Sequence, residues 1–216
     1  MVRGAVFFDV DGTLVPGTSS SQHLAARLGH LGSLRDAEDS YAAGTLSNHA
    51  VSVLDARGWE GRAPSEVGGW LDELPLVDGI AEVVTWCRAQ HLAPVLATLA
   101  WEPVGAYLCA RFGFDGSCGP RLEIVDGRYS GQVAAHLDEF AKRDYALAEA
   151  ARLGLDPASC AAIGDSRSDV PLFERVGLAV AFNANAAARA VAHSAVDGDD
   201  LRAVLPHLST WLAGTR

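Results

Sequence analysis

Lysine is almost missing from this 216-residue chain: Lys142 is the only one, and arginine supplies nearly every other basic position. Basic residues are scarce altogether, with 17 Lys and Arg against 27 Asp and Glu and a formal charge of -10. That balance argues against nucleic acid or an anionic membrane surface as partner, because both select basic faces. An anionic small substrate stays possible, since a bound metal ion reverses the sign of a local site. Also lacking is any apolar run long enough to span a bilayer. Met1-Val2-Arg3-Gly4 leads straight into a strand-like run, so neither a leader nor a membrane anchor is expected. The four cysteines, Cys87, Cys109, Cys118 and Cys160, are scattered without metal-ligand spacing. This reads as reduced, mostly buried thiols in a cytoplasmic protein. No internal repeat or low-complexity tract is evident, and the sequence leaves the oligomeric state and the pathway open.

Apolar residues, by contrast, make up 49% of the chain, enough for a packed globular core. Ala5 to Phe8, Ala93 to Ala97, Cys160 to Ile163 and Leu178 to Ala181 are continuous apolar runs. Runs without alternation suit strands buried on both faces of a parallel sheet. Amphipathic helical patterns lie between them, near Ile80 to Gln90, Val104 to Phe112, Leu137 to Leu153 and Pro171 to Val176. The alternation predicts an α/β fold with a Rossmann-like, doubly wound parallel sheet. Asp126-Gly127 centres a hairpin signal over Leu122 to Gln132. Residues 16–76 break the alternation with helical stretches around Ser21 to Leu28, Leu34 to Ala43, Asn48 to Ala56 and Ser65 to Leu74. They read as a small inserted helical cap, with residues 1–15 and 77–216 forming the core.

Acidic clusters follow two of the predicted strands: Asp9 and Asp11 after the first, Asp165 and Asp169 after the Ile163 run. The C-terminal ends of strands in an open parallel sheet share one edge, where ligands bind. Converging carboxylates repel one another unless a cation sits among them, and hard oxygen ligands suit Mg²⁺. Thr98 ends the Leu96 strand with a hydroxyl, and Lys142 begins a long helix with an ammonium. A metal, a hydroxyl and an ammonium around one carboxylate form a phosphoryl-binding site. Each element alone has a plainer meaning. Asp-Val-Asp-Gly reads as a turn, Thr98 as a β-branched strand residue, Lys142 as a solvated helix residue, and Asp165 and Asp169 as helix caps. Their occurrence together, in order, each at a strand end or helix start, favours the site.

Asp9-Val10-Asp11-Gly12-Thr13-Leu14 and Gly164-Asp165-Ser166-Arg167-Ser168-Asp169, with Thr98 and Lys142 between them, resemble the four motifs of the haloacid dehalogenase superfamily of phosphatases. Leu178 to Asn185 and Gly127 to Val133 resemble its phosphoserine phosphatase-like branch, and the likeness runs from Val6 to about Leu208. The resemblance implies that Asp9 is a covalent nucleophile and Asp11 the general acid and base. It implies Mg²⁺ held by Asp9, the backbone carbonyl of Asp11 and Asp165, with Asp169 a further ligand or a support. It implies Thr98 and Lys142 on the phosphoryl oxygens, and close backbone approach at Gly12. Dehalogenases of the superfamily lack the second aspartate, so Asp11 favours phosphate-ester hydrolysis.

The expected function is therefore a Mg²⁺-dependent phosphomonoester hydrolase acting on a small phosphorylated metabolite. A phosphotransferase or mutase on the same fold, and a non-catalytic phosphometabolite-binding protein, are the alternatives. Phosphoserine phosphatases usually place a glutamate soon after the first motif, to read the substrate amine. Here Val15-Pro16-Gly17-Thr18 has no acid, so phosphoserine is expected to be poor and a substrate with hydroxyls, carboxylates or an apolar body to be preferred. Arg27, Arg35, Arg57 and Arg62 are candidates for reading an anionic group or are solvated surface residues. Trp59 and Trp70 either line the pocket or pack beneath the cap.

Overall fold

The computed structural model describes residues 2–214, so Met1, Thr215 and Arg216, at the ends of the expected core segments, lie outside it. The first strand, β1 (Gly4–Phe8), is buried at every position. Four helices follow: α1 (Ser20–Leu28), α2 (Leu31–Ala42), α3 (Asn48–Gly58) and α4 (Pro64–Trp70). Then come α5 (Ile80–Ala89), β2 (Leu92–Leu96), α6 (Glu102–Phe112), the hairpin β3 (Arg121–Val125) and β4 (Arg128–Ala135), and α7 (Glu139–Arg152). The chain ends with β5 (Cys160–Gly164), α8 (Val170–Phe173), β6 (Leu178–Phe182), α9 (Ala186–Val191), β7 (Ser194–Val196) and α10 (Leu205–Gly214).

Five strands form a parallel sheet in the order β2-β1-β5-β6-β7. The pleat sends alternate residues of β1 to opposite faces. Val6 and Phe8 pack with Val83 of α5, Leu108 of α6 and Leu208 of α10, whereas Ala5 and Phe7 pack with Ala146 of α7, Phe173 of α8 and Ala188 of α9. Burial on both faces explains the continuous apolar runs and makes the sheet doubly wound, as expected. The connections leave β1 and β5 toward opposite faces, and a crevice opens between their C-terminal ends.

The helices α1 to α3 pack on one another around Ala25, Leu34, Ala37 and Val51. Trp59, fully buried, fastens them to the rest of the molecule with its ring edge-on to Trp101 and Tyr129, at 6.1 and 5.2 Å between centroids. Truncating such a residue to alanine leaves a void that costs about 3–5 kcal/mol. The hairpin turn carries positive φ at both Asp126 (50°) and Gly127 (75°), the geometry that matches strand twist in a two-residue turn. The hairpin does not join the parallel sheet. Tyr129 of β4 exchanges backbone hydrogen bonds with Gly61 and Arg62, at 2.8 and 2.9 Å, so the hairpin lies against the helical segment. No helix among the described residues is long and apolar enough to cross a membrane.

Candidate active site

Asp9 extends β1 beyond its last sheet residue, and its N–H donates to the Ile163 carbonyl of β5 at 2.9 Å. The next turn is tight: the Val10 carbonyl receives the N–H groups of Thr13, Leu14 and Val15. Gly12 sits in it at φ 84°, and a Cβ there would fall on the Asp165 carboxylate. Glycine is thus required twice, by the dihedral and by the approach of Asp165. Thr13 Oγ1 donates to Asp165 Oδ1 at 3.1 Å, fixing that carboxylate across the crevice. A Cβ on Gly164 would likewise fall on Asp169, so both acids of the second cluster close over a bare backbone.

Lys142 lies in the first turns of α7, whose N-cap Asp138 accepts from Phe140 and Ala141. Its ammonium is fully buried, 3.0 Å from Asp9 Oδ2 and 2.7 Å from Asp169 Oδ1. Asp169 Oδ2 accepts from the N–H groups of Asp165 and Ser166, at 3.0 Å each. Both Asp169 oxygens are therefore engaged within the protein. Asp9, Asp165 and Asp169 each offer a carboxylate oxygen, all within 4.8 Å of one another. Three carboxylates against one ammonium leave an excess of negative charge in a buried place. Burial, with repulsion from Asp169, brings Asp9 up to about 6 against the lowering pull of Lys142. Burial, with repulsion from Asp9 and Asp169, pushes Asp165 up to about 8. Burial alone would depress Lys142, but Asp169 and Asp9 carry it above the usual lysine range. All the oxygens are hard donors, and the charge excess is the kind a divalent cation neutralises, so the residues fit Mg²⁺.

A cavity of about 320 Å³ opens from these groups beneath the helical segment. Asp11 is not one of the three clustered carboxylates, and its Oδ1 accepts from the Ser20 N–H at the start of α1, at 2.6 Å. Burial pushes it up to about 7 against the lowering effect of that hydrogen bond, which leaves it a carboxyl able to carry a proton near neutral pH. One residue earlier, Ser19 Oγ donates to Glu38 Oε1 at 2.7 Å, while Gln22 Nε2 donates to Glu38 Oε2 at 2.5 Å. Asp55 is buried deeper in α3. Its oxygens are hydrogen-bonded to His30 Nε2 at 2.7 Å, the Trp101 indole at 2.7 Å and the Trp59 indole at 3.3 Å. Arg167 reaches from the second acidic loop to the Tyr41 carbonyl (2.7 Å) and Glu139 (3.0 Å), with its guanidinium 4.5 Å from the centre of the Tyr41 ring.

Asp9, Asp11, Gly12, Thr98 and Asp165 all line the cavity, while Lys142 and Asp169 lie beneath its floor. Thr98 is fully buried, and its Oγ1 accepts from the Ala100 N–H at 3.1 Å. The arginines raised as candidates do not line the cavity. Arg27 pairs with Glu73, Arg35 bonds Gln22, and Arg62 lies 3.8 Å from Glu66. Trp59 packs in the core and Trp70 is partly buried against it. Sequence reading misses Glu38, Asp39, Asp55 and Trp101, all of which line the cavity. The missing acid at position 18 therefore does not leave the cavity without one. The acids come from α2 and α3, where no motif marks them and only tertiary packing brings them over Asp11.

A family model described as haloacid dehalogenase-like hydrolase matches residues 6–174. The chain is 29% identical to a Mycobacterium tuberculosis protein named phosphoserine phosphatase SerB1, over 88% of this chain and 68% of that protein. It is 30% identical to a Halobacterium salinarum phosphoserine phosphatase, over 81% of this chain and 83% of that one. A solved structure titled as a phospho-aspartyl intermediate analogue of phosphoserine phosphatase shares the fold, with a TM-score of 0.87 at 20% identity, covering 96% of this chain and 99% of the other. With the two aspartate clusters at adjacent strand ends of this fold, the chain belongs to the haloacid dehalogenase-like hydrolase family, on its phosphoserine phosphatase-like side.

Proposed function

We propose that this phosphatase hydrolyses a small phosphorylated metabolite through an aspartyl-phosphate formed on Asp9, with Mg²⁺ as its cofactor. The observation that carries the reading is the buried excess of charge: Asp9, Asp165 and Asp169 within 4.8 Å, opposed by Lys142 alone. Asp9 and Asp165, with the Asp11 carbonyl, are the proposed ligands. Asp169, whose oxygens already hold Lys142 and two backbone N–H groups, acts as a brace for them. Bound there, the cation neutralises charge on the phosphoryl oxygens.

A carboxylate oxygen of Asp9 bonds to phosphorus as the ester P–O bond breaks, and Asp11 gives its proton to the departing alkoxide. Water then attacks the aspartyl-phosphate, Asp11 takes back a proton, and inorganic phosphate leaves with Asp9 restored. Lys142 holds Asp9 in place and balances its charge. Thr98 offers a hydroxyl at the phosphoryl group, and Gly12, without a Cβ, lets the backbone approach it closely. The helical segment, tied to the core through Asp11 and Arg167, is proposed as the cap that keeps bulk water out.

The test is a panel of phosphomonoesters assayed for phosphate release with Mg²⁺ and with chelator, under conditions that verify metal removal. The expected result is metal-dependent release that needs no acceptor alcohol, and a hydroxylamine-sensitive acyl phosphate on Asp9. Release that depends on an added acceptor would assign a phosphotransferase instead. Binding of the esters without any turnover would assign a binding protein.

A further inference from the structure

The cavity carries a second electrostatic demand, at the end away from the reacting phosphorus. Among its lining residues Arg167 is the one basic side chain, and it is committed to Glu139, the Tyr41 carbonyl and the Tyr41 ring. Lys142 is sealed between Asp9 and Asp169. No described cation is left facing the helical wall of the cavity, which presents Glu38, Asp39 and Asp55. These acids are not equivalent. Asp39 is exposed, and Asp55 is buried with hydrogen bonds on both oxygens from an imidazole and two indoles. Glu38 is different: half-buried, lining the cavity, and held only by neutral donors, Ser19 Oγ and Gln22 Nε2.

Position gives this carboxylate its meaning. Ser20 N–H holds Asp11 and the hydroxyl of Ser19, the residue capping α1, holds Glu38, so the start of this helix holds both acids at one cavity. If Asp11 protonates the leaving oxygen, Glu38 stands beside the body of the leaving alcohol. An anionic group there meets a carboxylate and no free cation, which disfavours it. An ammonium there gains a charge-assisted hydrogen bond from an oxygen already oriented for it. Building on the proposed hydrolysis, we infer that the substrate is an aminoalkyl phosphate without a carboxylate, and that Glu38 is the partner of its ammonium. This revises the expectation drawn from Thr18. The cavity accepts a cation through a different helix, and phosphoserine is disfavoured by its carboxylate, not by its amine.

The experiment compares kcat/KM, with Mg²⁺, for 2-aminoethyl phosphate, ethyl phosphate, 2-phosphoglycolate and L-phosphoserine, in wild type and Glu38→Gln. The wild type should favour the amino ester over the ethyl ester by about tenfold or more, with both carboxylates below the amino ester. Glu38→Gln should compress the amino-to-ethyl ratio by about tenfold, whatever its effect on overall rate. The same contrast is read without turnover by calorimetric binding of 2-aminoethylphosphonate and ethylphosphonate to the Mg²⁺-loaded wild type. Equal kcat/KM and equal binding for the amino and ethyl compounds would overturn the inference, even with hydrolysis intact. A ratio unchanged in a folded Glu38→Gln protein would overturn the role of Glu38. Preferred binding of the aminophosphonate with no hydrolysis of any ester would instead overturn the hydrolase reading and leave the ligand class standing. Should Glu38→Gln fail to fold, the wild-type ratios and the binding contrast decide.

Discussion

The wall of the cavity built from strand ends holds its charges with other charges. Asp9, Asp169 and Lys142 are buried and interlocked, Asp165 stands half-buried beside them, and a sheet whose strands are apolar on both faces backs the group. The wall built from α1, α2 and α3 holds its acids without lysine or arginine: the Ser20 N–H for Asp11, Ser19 and Gln22 for Glu38, and an imidazole and two indoles for Asp55. The contrast separates two tasks. A mutually locked set of charges cannot change one member without disturbing the rest, which suits fixed chemistry. A carboxylate held by hydroxyl and amide donors can be moved along a helix or exchanged with little cost to the fold, which suits choice of substrate.

Substitutions on the two walls should separate accordingly. Asp9→Asn removes the proposed nucleophile and should lower kcat by about 10⁴- to 10⁶-fold on every ester. Wild-type-like turnover of the folded variant would break the assignment of chemistry to the strand-end wall. Asp11→Asn keeps an acceptor for Ser20 but no proton to give. It should lower the single-turnover rate on an alkyl phosphate by about 10²- to 10⁴-fold, and much less on an activated aryl phosphate. Equal losses would show that Asp11 serves only to anchor α1. Gly12→Ala drives a Cβ into Asp165 and strains a positive φ. A displacement of that order should lower kcat/KM by about 10²-fold and weaken Mg²⁺ binding in calorimetry. An undisturbed metal affinity would mean that Asp165 can yield without consequence. The smallest effect is expected for Arg167→Met, which loses a partly exposed ion pair and the contact with Tyr41. Pairs of this kind contribute about 0–1 kcal/mol, so KM should rise no more than about fivefold. A loss in kcat as large as that of Gly12→Ala would erase the distinction between the walls.

The same contrast explains what could be read from the sequence. Asp9, Asp11 and Gly12 are contiguous, as are Asp165 and Asp169, and each group follows a strand whose apolar run announces it. The sheet edge then brings them together by topology alone. Glu38 and Asp55 lie on helices whose own periodicity says only that a face is polar, Trp101 sits in the loop just before α6, and their convergence depends on how these elements dock. The hairpin was legible in Asp126-Gly127, but its docking against Gly61 and Arg62 was not, because backbone pairing to a loop leaves no side-chain pattern. The strand β7 is three residues long and α9 is six residues dominated by alanine, so neither carries a period. The amphipathic α10 was likewise not anticipated.

Lys142 has a consequence outside catalysis. It is the chain's one lysine side chain, fully enclosed, and its pairing with Asp169 and Asp9 keeps it protonated. Acylating reagents attack only unprotonated, accessible amines. In the native protein this side chain should therefore stay unlabelled by succinimidyl esters, and lysine-directed cross-linkers should find no side-chain foothold. Any label that does accumulate there counts openings of the floor of the cavity. A single residue thus serves as a built-in clock, one that ligands bound above it would slow.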